Sequence, residues 1–451
     1  MNSPRERMRA LIERHQHTDR VTVGDHTSQL IQELAAETGA DVLQVPSGSE
    51  CLSWIVPDKW SVREGWVETL AGERIADYAW NPLWLKSYSS SFSGVVSRDE
   101  LRAHVLSDPE RPECLLYDYG AQYRFGPKTE WGFTMPHRLV ESLSDAEYRV
   151  RIDVEFGAGA MEILDWMLPG ELPDTIYIAA HSCHPAIVND GLACIAVALE
   201  LFRELATRQN RRWTYRLIVG PEYFAGAAFL ARAQGVENLR YGFYLDMLGN
   251  GERLGFARSH SGDTYVDAIT RGVLQRLAPD HLEAPFRGLW GNDEFFYDGP
   301  DFEIPSIALG RDRWPWYHTD RDDLAGCDFA QLEESLQVLR EVVNVFEADR
   351  VITRNYRGPL YQSRHGLYFD PRENRAGYLA LHDIQTLMDG TRSCLEIASA
   401  LHLDYPFVNR FADALLERGL AESAPRPPKP ERKFSPPPFP ARKPHDPSIT
   451  L

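Results

Sequence analysis

The chain has 451 residues, more than one hydrophobic core usually organises, so two or three structural units are expected. Its 43% hydrophobic and 25% charged residues fit a globular protein. A net charge of -18, from 66 acidic against 48 basic residues, repels phosphate backbones and anionic lipid, which argues against nucleic acid or a membrane surface as partner.

The opening stretch, MNSPRERMRALIERH, mixes charge with scattered apolar residues and lacks the apolar core of a secretory signal. No run reaches the ~18 to 20 apolar residues of a membrane span, and we expect a cytoplasmic protein. Residues 1–60 are expected to pack with an α/β unit that resumes at 146 and runs to 355. Between them, residues 61–145 carry many aromatics, short runs such as WLKSYSSSFSG and turn residues, the pattern of a small β-rich insertion.

The middle third alternates strand-like and helix-like runs, the pattern of a sheet covered by helices. Strands are predicted at Thr175 to His181, Tyr215 to Gly220, Arg240 to Gly249, Leu254 to Ser259 and Ser306 to Gly310. Helices are predicted at Leu192 to Leu205, Phe224 to Ala233, Tyr265 to Leu277 and Ala330 to Ala348. In 356–424 apolar residues recur every three or four positions, with Ser393 placed as a helix N-cap and Gly419 as a C-cap. Three short helices arranged as a winged helix are expected there. From Gly377 to Glu422 the only arginines are Arg392, Arg410 and Arg418, outnumbered by acids, the wrong balance for reading DNA. The unit is therefore expected to serve packing or protein contact, including contact between copies of the chain in a homo-oligomer. The proline-rich, basic stretch 425–451 is expected to be disordered or in polyproline II.

Ligands of open α/β sheets gather outside the carboxyl ends of the strands. His181 ends TIYIAAH, Glu222 follows YRLIVGP, Asp246 lies near the end of YGFYLDMLG, and His318 lies in the loop after SIALG. Asp190 opens the helix that follows the His181 loop. Two imidazoles and three carboxylates meeting at one edge suit zinc, with a position left open for water or substrate. Each residue also has an ordinary reading. Asp190 could cap a helix, and His184, before Pro185, reads as a loop or supporting residue. Cys183 lacks a partner pattern for a nucleophile, and the six scattered cysteines fit reduced thiols. Arg311, Arg313, Trp314, Trp316 and Tyr317, beside His318, could shape a substrate pocket.

The order His181, Asp190, Glu222, LDMLG with Asp246 and YHTDRDD with His318 resembles the zinc aminopeptidases of the leucyl aminopeptidase and glutaminyl cyclase type, peptidase clan MH. PSGSECLSWIVPDKW, LKSYS, EWGF, AAHSCHPAIVND, GPE, GNDEFFYDGP and YHTDRDD extend the resemblance, over nearly the whole chain, to a bacterial aminopeptidase-like family with a small inserted domain and a C-terminal winged helix. The resemblance implies a zinc-aminopeptidase-like mixed sheet flanked by helices, and one or two zinc ions held by His181, Asp190, Glu222, Asp246 and His318. Two departures stand out. Pro221 precedes Glu222 where the peptidases have a second glutamate, so one role is vacant. Cys183 stands where many of them keep an Asp that orients the first imidazole.

In that scheme Glu222 is the first candidate for base or ligand and Glu294 the second candidate for base. Asp293 would anchor a substrate amine or orient a ligand. The expected activity is zinc-dependent amide hydrolysis, most simply by an aminopeptidase acting on a small peptide or aminoacyl conjugate. The alternatives are a deacylase or cyclase acting on a biosynthetic intermediate, and a catalytically degenerate regulatory protein.

Overall fold

Strands that are apolar on both faces must be covered on both faces, and four such strands organise this chain. In the computed structural model, which describes residues 3–426, eight strands form one mixed sheet. They are β1 (Asp41–Pro46), β2 (Ala160–Leu168), β3 (Thr175–His181), β4 (Thr214–Gly220), β5 (Leu239–Asp246), β6 (Leu254–Ala257), β7 (Leu282–Ala284) and β8 (Ser306–Arg311). Their spatial order is β1-β2-β4-β3-β5-β8-β6-β7. The four central strands β4, β3, β5 and β8 run parallel, and every residue of β3 and β4 is buried.

Side chains alternate across the sheet. Ile176, Ile178 and Ala180 of β3 join the core beneath the helices Pro4–His15, Leu192–Thr207, Tyr265–Leu277 and Phe329–Ala348. Tyr177 and Ala179 join the opposite core, with helix Phe224–Arg232. Helix Leu192–Thr207 is apolar nearly all round because it lies between the sheet and other helices. Truncating its fully buried Leu199 to Ala would cost about 2–5 kcal/mol. Its one buried acid, Glu200, is paired by Arg7 and Arg203, which ties the N-terminal helix to it.

The expected α/β mixed sheet with flanking helices is the fold observed. Its strand and helix edges differ from prediction by a few residues; the strand expected to reach Gly249 stops at Asp246. Helices Pro4–His15 and Asp25–Thr38 have no counterpart among the predicted elements. Ser3 and Glu6 form a capping box on the first, with a proline in its opening turn, a start signal readable in SPRE.

Between β1 and β2 stands an antiparallel sheet of four strands, in the order Arg74–Asp77, Lys59–Thr69, Glu147–Gly157, Phe92–Ser97. Its long central pair runs from Lys59 opposite Gly157 to Thr69 opposite Tyr148, with a register shift between Val62 and Glu64; the first strand crosses the start of the 61–145 range and the second begins just past its end. It has its own core, with Trp60, Tyr88, Phe133 and Val150.

After the last long helix, strands Arg350–Arg354, Asp389–Ser393 and Ala421–Pro425 form a three-stranded antiparallel sheet with helices Arg375–Leu387, Cys394–Leu401 and Tyr405–Glu417. Ser393 caps its helix in a capping box with Glu396, and Gly419 takes a positive φ of 65° just past another. The first strand begins six residues before the expected unit. Pro425 closes a strand and Arg426 lies over the Tyr265 ring, so the stretch expected to be disordered or in polyproline II begins in a sheet; the rest of it, 427–451, lies outside the described residues. No helix among the described residues is long and apolar enough to cross a membrane.

Candidate metal centre

The register of the parallel strands sets this site. His181, last residue of β3, pairs with Gly220, last of β4, and Asp246, last of β5, pairs with Gly310 near the end of β8. The loops leaving these ends converge. His181 Nε2 lies 3.0 Å from Asp190 Oδ1 and 3.9 Å from Asp246 Oδ1. On the other side of Asp190, its Oδ2 lies 3.0 Å from His318 Nε2 and 3.5 Å from His184 Nε2. Glu222 Oε2 stands 3.9 Å from His184 Nε2. The residues thus form two sets that share Asp190: His181, Asp190, Asp246, and His184, Asp190, His318, with one ligand atom of each residue within 4.8 Å of the others in its set.

These atoms approach without bonding to each other. His181 Nε2, Asp190 Oδ2, Asp246 Oδ1 and His318 Nε2 are buried and have no hydrogen-bond partner. A buried polar atom left so costs about 1–3 kcal/mol, and four aimed at one region mark the place of a missing partner. Ligands bound to one ion at about 2.0–2.1 Å in a tetrahedron stand roughly 3.3 Å apart, the range of the shorter separations here. The donor set and its spacing therefore fit a metal ion. Burial resists charge on Asp190, yet His184, His181 and His318 hold it well below the usual carboxylate range. Burial pushes Glu222 up to about 8, and it also raises Asp246.

The backbone at this edge is strained. Ala186, Tyr223, Met247 and His318, each at or within two residues of a cluster residue, have φ between 44° and 61°, a region costly for side chains other than glycine. Gly191, after Asp190, has φ 111°, and a Cβ there would stand 2.9 Å from His181 Nδ1 and 2.6 Å from its carbonyl oxygen. Only glycine lets the helix start this close to the imidazole. Gly191 also takes the N-cap position, with no side chain capping the helix, so Asp190 is free of that duty.

Buried groups around the cluster hold this geometry. The Arg20 guanidinium donates to the carbonyls of His184 (2.8 Å) and Ile187 (2.6 Å). Asp322 accepts from the amides of Asn189 (2.7 Å) and Asp190 (3.0 Å). From the insert, the Tyr117 amide donates to the His318 carbonyl (2.9 Å) and its hydroxyl to the Cys183 carbonyl (3.1 Å). Tyr123 donates its hydroxyl to Glu222 Oε2 (3.3 Å).

Four further residues named from sequence have these places in the structure. His184, read as a supporting loop residue, enters the cluster because the loop turns back at Ala186. Glu294 is buried with both oxygens accepting from the Asn292 amide (2.9 and 2.8 Å); burial pushes it up to about 7, and its side-chain hydrogen bonds do not reach the cluster. Asp293 Oδ1 accepts from the Tyr223 amide (2.5 Å) and Oδ2 from the Gly226 amide (3.2 Å), so it holds the loop carrying Glu222, in keeping with the orienting role rather than the anchoring one. Arg311 is 2% exposed and spends its guanidinium on the carbonyls of Leu248, Glu252 and Gln331 and on Glu334, which removes it from the substrate side. Tyr317, by contrast, stays half-exposed and stacks on the His318 ring at 3.7 Å.

Cys183 keeps its thiol against the His181 imidazole. Its Sγ accepts from the Glu222 amide (3.1 Å), and burial raises its pKa, so it is a protonated support. Arg20, Tyr117, Tyr123 and Asp322 were not singled out from sequence. A signal existed for Asp322, the second acid of DRDD, and the HxxH spacing of His181 and His184 was the signal for His184 as a ligand.

The family described as Domain of unknown function (DUF4910) matches residues 9–349. A Clostridium acetobutylicum protein, provisionally described as a polysaccharide biosynthesis protein with aminopeptidase-like domain, is 25% identical over 389 residues, 83% of this chain and 86% of that one. A crystal structure of a provisionally assigned peptidase from Clostridium acetobutylicum superposes with TM-score 0.84 at 23% identity, covering 93% of this chain and 96% of that chain. The zinc aminopeptidase BSAP from Bacillus subtilis superposes with TM-score 0.54 at 14% identity, covering 76% of this chain and 95% of that chain. The fold is thus that of the zinc aminopeptidases, and the chain belongs to the DUF4910 family.

Proposed function

We propose that this chain is a zinc-dependent amide hydrolase, most simply an aminopeptidase acting on a small peptide or aminoacyl conjugate. The observation that supports it most is the pair of ligand sets sharing Asp190 at the ends of the parallel strands, their buried polar atoms left without partners. Zinc bound there would polarise a carbonyl oxygen and bring the pKa of a bound water toward about 7.

In this reading His181 and Asp246 hold the metal on one side of Asp190, and His184 and His318 on the other. Glu222 is then released from ligation to move the proton from the attacking water to the leaving amine. The Tyr123 hydroxyl and the Cys183 thiol keep it in place. The vacancy left by Pro221 is thereby filled: His184 takes the ligand role of the second glutamate, and Glu222 the role of base. The test is a screen of aminoacyl and acyl amides with zinc-loaded protein and its Asp190→Ala variant. Hydrolysis by the first and none by the second is expected; a loaded protein that cleaves no amide would sink the reading.

A second reading, removal of an acyl group from an amino sugar, draws on the name of the Clostridium relative and on the rings of Tyr117, Tyr119 and Tyr317 around His318. An N-acetyl amino sugar in the same screen separates the two. We place nucleic acid outside the function, on the acidic balance of both the chain and its C-terminal unit.

A further inference from the structure

A cavity of about 930 Å³ lies where the insert meets the hairpin Glu50–Ile55. Its walls are mainly rings and aliphatic groups, among them Trp54, Ile55, Tyr88, Phe156 and Phe224. No candidate metal ligand lines it. Tyr123 does, and the same side chain reaches Glu222 with its hydroxyl at 3.3 Å. Phe224, two residues beyond Glu222, forms another part of the wall. The cavity therefore adjoins the proposed base, separated from it by one tyrosine.

Two of its three charged lining residues are already engaged. Lys128 donates its ammonium to the carbonyls of Ala121 and Arg124. Arg124 pairs with Glu130 at 2.8 Å. Asp58 is at the exposed margin. The space left is more apolar than polar and ring-lined, with Gln122 as an uncharged polar group in its wall, and is of the size that holds a small organic group. Trp54 is fixed in its orientation: its ring stacks on Tyr223 at 5.7 Å and 9°, with Phe224 and Phe296 against it edge-on. A fixed aromatic wall favours a flat or ring-shaped partner over a flexible charged one.

We propose that this cavity binds an uncharged, ring-bearing portion of the amide substrate, remote from the bond that is cut. The proposal rests on the amide-hydrolase reading for its connection to catalysis, but not for the binding itself. Binding energy gained from such a remote group can position the reacting amide against Glu222. Because the insert supplies Tyr88, Tyr123 and Phe156, it is part of the substrate site, and substrate choice is set by a region outside the α/β unit.

The test uses N-(2-naphthyl)acetamide, a neutral ring-bearing amide, titrated by its own fluorescence into the full chain with and without zinc. Two variants alter the cavity from its exposed side and touch no cluster residue: Ser53→Trp fills it and Ile55→Asp charges it. The wild type should bind the probe with or without metal, and each variant should weaken binding at least tenfold with an unchanged melting temperature. In turnover, KM for a 2-naphthylamide should rise in both variants while kcat/KM for a methylamide stays as in the wild type. Absence of binding to the wild type, or equal binding by all three proteins, overturns the proposal. Probe binding that the variants weaken, in a protein that cleaves no amide, would support the cavity and remove the hydrolase reading instead.

Discussion

Asp190, at the ends of the parallel strands, and Asp349, at the joint with the C-terminal unit, are both buried aspartates set in opposite surroundings. Asp349 Oδ1 accepts from the Leu395 amide at 2.9 Å and Oδ2 from the Tyr265 hydroxyl at 2.8 Å. Its partners are all supplied by the chain. Asp190 Oδ2 has two imidazoles within 3.5 Å and no hydrogen bond. The fold completes one carboxylate and leaves the other to be completed from outside. Burial alone therefore says little about function; what the neighbouring atoms are aimed at says much more.

The strand-end region also carries its strain where the joint carries its hydrogen bonds. Four residues beside the cluster hold a left-handed backbone, whereas the joint closes with a capped helix and an aligned strand pair. The largest effect expected from breaking this contrast is with alanine at the two aspartates. Asp190→Ala should abolish amide hydrolysis with little change in melting temperature of the metal-free protein. Asp349→Ala should leave turnover per folded molecule intact and cost about 1–3 kcal/mol of stability in urea titration, from its two stranded donors.

Glu222 and Glu294 extend the comparison to a pair of acids. Glu222→Gln should keep its metal and slow turnover by about 10²- to 10⁴-fold, the range for loss of a general acid-base group, whereas Glu294→Gln should remain near wild-type rate. Inactivity of the second with full activity of the first would return the base role to Glu294. A smaller effect is expected at His184: His184→Ala should weaken zinc binding at least tenfold in a competition titration with a chelating dye. A loop residue in that place would leave affinity unchanged.

The smallest effect is one of pH. Burial raises the Asp349 carboxyl above its ordinary value, against the donors that lower it. The folded state thus holds the proton more tightly than the unfolded one, and stability falls as pH rises from about 3.9 through the raised folded value. Asp349→Asn should flatten that part of the stability curve in urea titrations at several pH values, and an unchanged slope would assign it to other groups.

Much of this architecture is legible in the amino-acid sequence. Apolar runs such as TIYIAAH and YRLIVG identify buried parallel strands, and the chemistry-bearing residues at their ends mark the edge where His181, Asp190, Asp246 and His318 meet. What stays hidden is the direction in which a loop or strand-end residue faces. Arg311 ends β8 as Asp246 ends β5, but its guanidinium goes down among carbonyls, a choice set by Glu334 more than 20 residues later. His184 turns inward because the loop reverses at Ala186 and because Arg20, far away in sequence, holds its carbonyl. Tyr123 reaches Glu222 only because the insert folds over the strand ends, a tertiary fact that no local pattern encodes.

The central claim is that Asp190 is a metal ligand shared by two sets. Its most direct test is metal content per chain, by mass spectrometry, for the wild type and Asp190→Asn purified without chelator. The substitution keeps the size of the side chain and removes its charge. The wild type should carry zinc and the variant should have lost it, with both folded by circular dichroism. Equal zinc in the two proteins would contradict the account.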